Sequence, residues 1–245
     1  MSIVTSIATA RRKPYAGLQM EGPLAHWYAR TTRDRADFPV TARTIAERLP
    51  HGGAVLEVAP GPGYLAIQLA RSGPYQVTGL DISRSFVRIA TDNARQAGVA
   101  VDFQQGDVAH MPFPAASFDY VVCQAAFKNF PDPVAALDEI ERVLRPGGQA
   151  AILDLRKDAP RDAIDAEIRG MHLSPPRALL TRWIFRFGLL RAAYTRAKLE
   201  ALVARSRFGT GEFVADGIGF ELRLLKQSPA EYGGSIDRGA RRICP

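Results

Sequence analysis

The chain has 245 residues and a mass of 26.7 kDa, with 47% hydrophobic and 23% charged residues and a formal net charge of +7. This gives room for one α/β domain with an accessory segment and excludes two large domains; no apolar run reaches the roughly 18 residues of a membrane span. Cys123 and Cys244 are too few for a disulfide framework, no metal-ligand spacing occurs, and the first basic residues, Arg11, Arg12 and Lys13, follow the apolar start, the reverse of a secretory signal, so a cytoplasmic location is expected.

In chain order, residues 1–50 read as a helical cover ahead of the first strand. Strands are expected at about 54–59, 76–81, 101–107, 118–125 and 149–155, separated by helical patterns at about 64–72, 84–97 and 133–145. The last of these helices opens at Pro131-Asp132-Pro133, places Ala136, Leu137, Ile140, Val143 and Leu144 on one face, and stops at Pro146-Gly147-Gly148. After the fifth strand the alternation breaks. Residues 157–194 read as a helical lid insert with two helices around Ser174-Pro175-Pro176, and Thr195 opens another helix to about Ser206. Glu212 to Ala215 and Phe220 to Leu225 flank Gly217 as a closing antiparallel hairpin, so the core domain runs over 51–226; the polar, glycine-rich tail 227–245 is expected to be disordered. The pattern predicts an α/β, Rossmann-like fold with a seven-stranded, mostly parallel sheet.

The run Val55-Leu56-Glu57-Val58-Ala59-Pro60-Gly61-Pro62-Gly63-Tyr64 is a buried-strand pattern that ends on an acid and enters a glycine-proline loop. Backbone approaches a ligand this closely only where side chains are missing, so the loop predicts a nucleotide-like cofactor. As Gly61-x-Gly63-x-x-Ala66 it fits the dinucleotide fingerprint, which points to an NAD(P)-dependent oxidoreductase. As Glu57-x-Ala59-x-Gly61-x-Gly63 it resembles the first motif of class I S-adenosylmethionine (SAM) methyltransferases, with alanine for the first glycine. That replacement requires φ below zero at Ala59. Asp81, ending the second strand about 18 residues past Gly63, suits ribose hydroxyls in either reading.

The third strand separates them. Gly106-Asp107-Val108, then Phe118-Asp119-Tyr120-Val121-Val122 and Arg145-Pro146-Gly147-Gly148, resemble the small-molecule, ubiquinone-biosynthesis-like (type 11) group of class I methyltransferases, closely over residues 53–156 and loosely over 195–226. The resemblance implies SAM as cofactor and S-adenosylhomocysteine as product. It also implies that Asp107 accepts from the adenine amino group, with the Val108 amide on the ring and Ile82 and Gly106 beside them. Glu57, through water, would hold the methionine amino group, and Gln124, Tyr28, Arg30 and Tyr64, with Ala59, Gly61 and Gly63, would complete the cofactor site. Lys128-Asn129 stands where many relatives carry a histidine pair, so no histidine role transfers to that position.

The acceptor is expected to be a small molecule, anionic or lipophilic, held in line with the methyl group at roughly 3 Å with water excluded. Tyr15, Lys128 and Asn129 are candidate substrate contacts. A base is needed only for a protonated acceptor, and His26 and His172 are the histidines in cover segments. Charge is uneven: residues 53–154 hold seven basic and eleven acidic residues, whereas 155–208 hold twelve basic and five acidic. The basic, apolar stretch 177–191 can serve as a lid, as a contact with an anionic membrane, or as a homodimer face. A nucleic-acid methyltransferase is disfavoured, since Gln124-Ala125-Ala126-Phe127 stands where amino-methylating enzymes place an Asn/Asp-Pro-Pro-Tyr motif; a SAM-binding protein without transfer activity remains an alternative.

Overall fold

The computed structural model describes residues 20–35, 37–171, 174–184, 190 and 193–228. Five strands are parallel: β1 (Gly53–Val58), β2 (Tyr75–Asp81), β3 (Asp102–Gln105), β4 (Phe118–Gln124) and β5 (Leu144–Leu155). The hairpin β6 (Glu212–Asp216) and β7 (Gly219–Leu225) completes a seven-stranded sheet in the order β3-β2-β1-β4-β5-β7-β6, with β7 antiparallel to both β5 and β6. The chain winds outward from β1 to β3 and then returns to β4. That reversal places the topological switch point between β1 and β4, where a doubly wound sheet opens a crevice beyond the carboxyl ends of its strands.

Side-chain alternation feeds two cores. Val121 and Ile152 point towards α5 (Pro133–Val143) and α8 (Arg196–Arg205), packing with Leu137, Ile140, Leu199 and Val203. Tyr120 and Val122 point the other way, joining Ile45 of α2 (Asp37–Arg48) and Leu65 and Leu69 of α3 (Tyr64–Ser72). Helix α4 (Arg84–Ala97) receives α1 (Gly22–Thr32) through Ala25, Ala29, Phe86 and Ile89. The Glu21 carboxylate accepts the N–H groups of Arg84 (2.9 Å) and Ser85 (3.1 Å), where a negative charge favours a helix start; these hydrogen bonds hold its pKa below the ordinary value although burial works against them.

Several boundaries move for identifiable reasons. The third strand ends at Gln105, with the Gly106 N–H making the last ladder bond to the Asp81 carbonyl (2.9 Å). Helix α5, capped by Asp132 with Pro133 at its first turn, stops at Val143. Pairing then slips from Phe118↔Leu144 to Tyr120↔Gln149 across Pro146-Gly147-Gly148. The insert contains α6 (Arg161–Gly170) and α7 (Pro175–Ile184), and its two ends meet: Arg156 pairs with Tyr194, and Lys157 N–H donates to the Tyr194 carbonyl (2.9 Å). Thr195 caps α8 through Lys198 N–H (3.3 Å). The expected tail beyond 228 lies outside the described residues. Among the described residues no helix is long and apolar enough to cross a membrane.

The expectation of a negative φ at Ala59 is overturned. Its φ is 54°: Ala59 N–H still makes the last ladder bond to the Leu80 carbonyl (2.8 Å), and the chain then leaves β1 in a left-handed step. That step costs an L-residue roughly 1–2 kcal/mol, partly offset because alanine loses less freedom than glycine on folding. Ala59→Gly is therefore expected to raise thermal stability by about 0.5 kcal/mol, a shift of about 1–2 °C for a chain of this size, and Ala59→Val to lower it by more than that. Thermal unfolding followed by circular dichroism reads both.

Candidate active site

The loop after β1 is fixed from the neighbouring strand. Asp81, buried at the end of β2, accepts Gly61 N–H on Oδ2 (3.0 Å) and Ser83 N–H on Oδ1 (2.8 Å). Burial raises its pKa to about 6, the two amides working against that rise. The loop's glycines divide their tasks. Gly63 (φ 78°) lets α3 start close to the sheet: a Cβ there would stand 2.6 Å from Phe103 and 2.9 Å from Ala90. A Cβ on Gly61 (φ 54°) would meet nothing within 4 Å, so this missing side chain faces open space that a ligand can fill. Helix α3 starts at Gly63 without a side-chain cap, leaving its first N–H groups to other partners.

Two buried acceptor oxygens, Glu57 Oε2 on β1 and Gln124 Oε1 on β4, have no donor in the protein. Burial pushes the Glu57 carboxyl up to about 8; the Ala66 amide opposes the rise and the Asp81 charge adds to it. Gln124 Nε2 donates to Asp37 Oδ2 (2.7 Å), and that bond orients its amide so that the oxygen is the orphan. Asp37 is in turn gripped by Arg35, whose Nε donates to Oδ1 (3.0 Å). Burial disfavours the Arg35 charge, but Asp37 and Tyr28 outweigh it and hold its pKa above the ordinary value. A pair of acceptors beside a glycine loop suits an ammonium group, and an amino-acid moiety fits where a bare pyrophosphate would not.

At the β2–β3 side, Ile82 is an apolar residue left 50% exposed directly after Asp81. The Asp107 carboxylate accepts Ala109 N–H (3.0 Å) and lies 3.7 Å from His110 Nδ1, which holds the Gly106-Asp107-Val108 turn in shape. A flat ring system with an exocyclic amino group fits between an exposed aliphatic side chain and a carboxylate of this kind.

Comparison with known proteins agrees with this geometry. Residues 56–152 match a family described as a methyltransferase domain. Over 110 residues the chain is 38% identical to a 2-phytyl-1,4-naphtoquinone methyltransferase of Synechococcus elongatus, and over 111 residues 38% identical to a demethylmenaquinone methyltransferase of Deinococcus radiodurans. The central segment is thus similar to a methyltransferase domain, as its sequence motifs suggest. The aligned stretches cover 43% and 44% of this chain, and the chain spans about half the length of these curated relatives, 47% and 46%. Its fold matches a SAM-dependent methyltransferase from Aquifex aeolicus (TM-score 0.63, 16% identity, 82% of this chain and 97% of that one). It also matches the [4+2]-cyclase SpnF (TM-score 0.58, 21% identity, 78% and 81%).

The remaining candidates divide. Tyr64 ties the loop to the cover, its hydroxyl donating to the Ala29 carbonyl (2.9 Å), and the Tyr28 ring packs edge-on to Phe86 (5.8 Å). Arg30 and His26 are exposed on α1, whereas Arg35, absent from the sequence reading, is the arginine linked through Asp37 to Gln124. Lys128, a candidate contact for a substrate anion, is largely enclosed and pairs with Asp154, 2.6 Å from its Oδ1. Asn129 sits in the same short 3-10 turn, Phe127–Asn129. Tyr15 and His172 lie outside the described residues. A groove lined by Arg33, Phe38, Tyr64, Arg71 and Asn93 follows α3 and α4; neither Glu57, Asp81, Gln124 nor Lys128 lines it.

Glu57 and Asp81 both hold protons more tightly when folded, ionising at about 8 and about 6 against ordinary values of 4.5 and 3.8. The folded chain thus binds more protons than the unfolded one, and their contribution to stability, complete below the ordinary values, is lost as pH rises through the folded ones. Urea unfolding of the ligand-free protein is expected to show stability falling by an order of a few kcal/mol between about pH 5 and pH 8.5, with a much shallower fall in Glu57→Gln.

Proposed function

We propose that the chain transfers a methyl group from SAM to a small aromatic acceptor of the quinone type. The observation that carries this reading is the pair of donor-free buried oxygens, Glu57 Oε2 and Gln124 Oε1, beside the open side of Gly61. They suit the amino group of a methionine moiety, and the match to a methyltransferase domain supports the same ligand. The printed names of the similar enzymes, naphthoquinone and demethylmenaquinone methyltransferases, support the acceptor class.

The cofactor supplies an electrophilic methyl group on a sulfonium. Everything else asked of the protein is positioning. Glu57 and Gln124 accept from the amino group, and Asp81 takes the ribose hydroxyls on the lone pairs that Gly61 and Ser83 leave free. Ile82 and Val108 flank the adenine, with Asp107 on its amino group. Arg35 has five N–H donors, of which Asp37 takes two, so it is assigned the cofactor carboxylate in place of the exposed Arg30. Holding the acceptor in line and excluding water then account for most of the acceleration.

Helix α7, tied to α6 by Arg182 to Asp165 (3.0 Å), carries exposed Leu179 and Trp183 beside Arg177. We assign α7 as part of a lid over a lipophilic acceptor, with contact to an anionic membrane surface as the route by which such an acceptor arrives; residues 185–189 and 191 of the expected stretch 177–191 lie outside the described residues.

Calorimetric titration is expected to show binding of SAM and not of NADH. Asp81→Ala and Asp107→Ala are each expected to weaken SAM binding by roughly 1–3 kcal/mol; unchanged affinity in both variants would remove the assignment. Transfer of label from SAM into a reduced naphthoquinone tests the reaction itself, and SAM binding without transfer would place the chain among non-methylating users of this fold.

A further inference from the structure

The ion pair at the carboxyl ends of β4 and β5 has no counterpart in the cofactor site. Lys128 Nζ lies 2.6 Å from Asp154 Oδ1 and 3.1 Å from the Ala125 carbonyl, with side-chain exposures of 14% for Lys128 and 2% for Asp154. Asp154 is itself fixed by two backbone donors, Lys128 N–H on Oδ2 (3.1 Å) and Leu155 N–H on Oδ1 (2.8 Å). Ala125 presents its carbonyl to the ammonium from a left-handed conformation, φ 60°, which alanine adopts only at a cost. Enclosing a lysine this way is expensive, and an apolar pair of similar volume would hold the fold as well or better.

Its position gives the arrangement a use. The registers Val58↔Cys123 and Gln124↔Leu153 run the strand ends in the sequence Ala59, Gln124, Asp154 across the sheet edge. The adenine side lies towards β3 and the amino-acid side at β1 and β4, so the next strand end outward, at Asp154, is where an acceptor meets the methyl group. Phe127 and Tyr194, with ring centroids 5.8 Å apart, stand beside the pair. The Tyr194 hydroxyl is held protonated, its pKa raised by burial and by the nearby Asp154 charge. An ammonium carries three protons, and the two acceptors on the protein account for two.

We propose that Lys128 is a substrate-binding residue whose third N–H holds the oxyanion of an acidic enol or phenol, Asp154 and the Ala125 carbonyl fixing the ammonium for that task. The acceptor is thus taken as its anion, the hydroxyl proton having gone to water, which fits a site where no histidine among the described residues stands as base. This rests on the methyltransferase reading and adds the ionisation state of the acceptor and the group that selects it.

The test uses two naphthoquinones of nearly equal shape: 2-hydroxy-1,4-naphthoquinone, an anion at neutral pH, and 2-methoxy-1,4-naphthoquinone, which is neutral. Each is titrated calorimetrically into the full chain saturated with S-adenosylhomocysteine. The wild type is expected to bind the anion at least about tenfold more tightly, the scale of one charge-assisted hydrogen bond. Lys128→Met/Asp154→Leu is expected to bind S-adenosylhomocysteine as the wild type does and to lose the preference; Lys128→Gln is carried alongside so that one folded variant without the charge suffices. No preference in the wild type, or a preference that survives in a variant still binding S-adenosylhomocysteine, overturns the proposal. Failure of the wild type to bind S-adenosylhomocysteine would instead overturn the methyltransferase reading beneath it.

Discussion

The Asp81 carboxylate, buried at the tip of β2, holds the Gly61 amide of the loop that follows β1, and the site is arranged around that bond. It connects two adjacent strand ends beside the crevice of the switch point, and it sets where the glycine loop can lie. Its cost is visible in the raised pKa of Asp81 and in the still higher one of Glu57, whose ionisation Asp81 opposes. Two acids in one dry pocket, only one of them fully hydrogen-bonded, leave a deficit of donors. A cation with N–H groups relieves it, which makes cofactor recognition and the relief of electrostatic strain the same event.

The cover helices are bound to this centre by polar links as well as by their apolar packing. Glu21 sits on the start of α4, Ser83 Oγ donates to the Met20 carbonyl, and Tyr64 reaches the Ala29 carbonyl. On the other side, Arg35 and Asp37 reach Gln124. Each link terminates on a residue of the glycine loop, on the end of a strand or at a helix start. The cover is thus referenced to the cofactor site, and the arrangement of its helices and the geometry of the crevice are mutually dependent.

Much of the fold was readable because strand ends and helix stops have local chemistry: acids at the ends of β1 and β2, Pro146-Gly147-Gly148 after α5, Thr195 before α8. The candidate cofactor residues Glu57, Gly61 and Asp81 could be named for the same reason, since each follows from its place at or just beyond a strand end. What escaped depends on partners distant in sequence. Arg35 is one arginine in a run that includes Arg30 and Arg33, and only the pairing with Asp37 and Gln124, 87 residues further on, distinguishes it. Asp154 went unremarked in the sequence, because only the turn after β4 brings Lys128 onto it, from 26 residues away. The left-handed Ala59 escaped because alanine is a poor indicator of such a conformation.

The root of the insert has a consequence for how such a protein can diversify. Because Arg156 and Tyr194 pair directly, the chain leaves the sheet and re-enters it at one point, and β5 goes on to be covered by β7 whatever lies between. The entropy of closing such an excursion grows only slowly with its length, so segments of different size or polarity can be exchanged there with little effect on the seven strands. The candidate cofactor site and the insert therefore occupy separable stretches of one chain, and selection can alter the second while leaving the first intact.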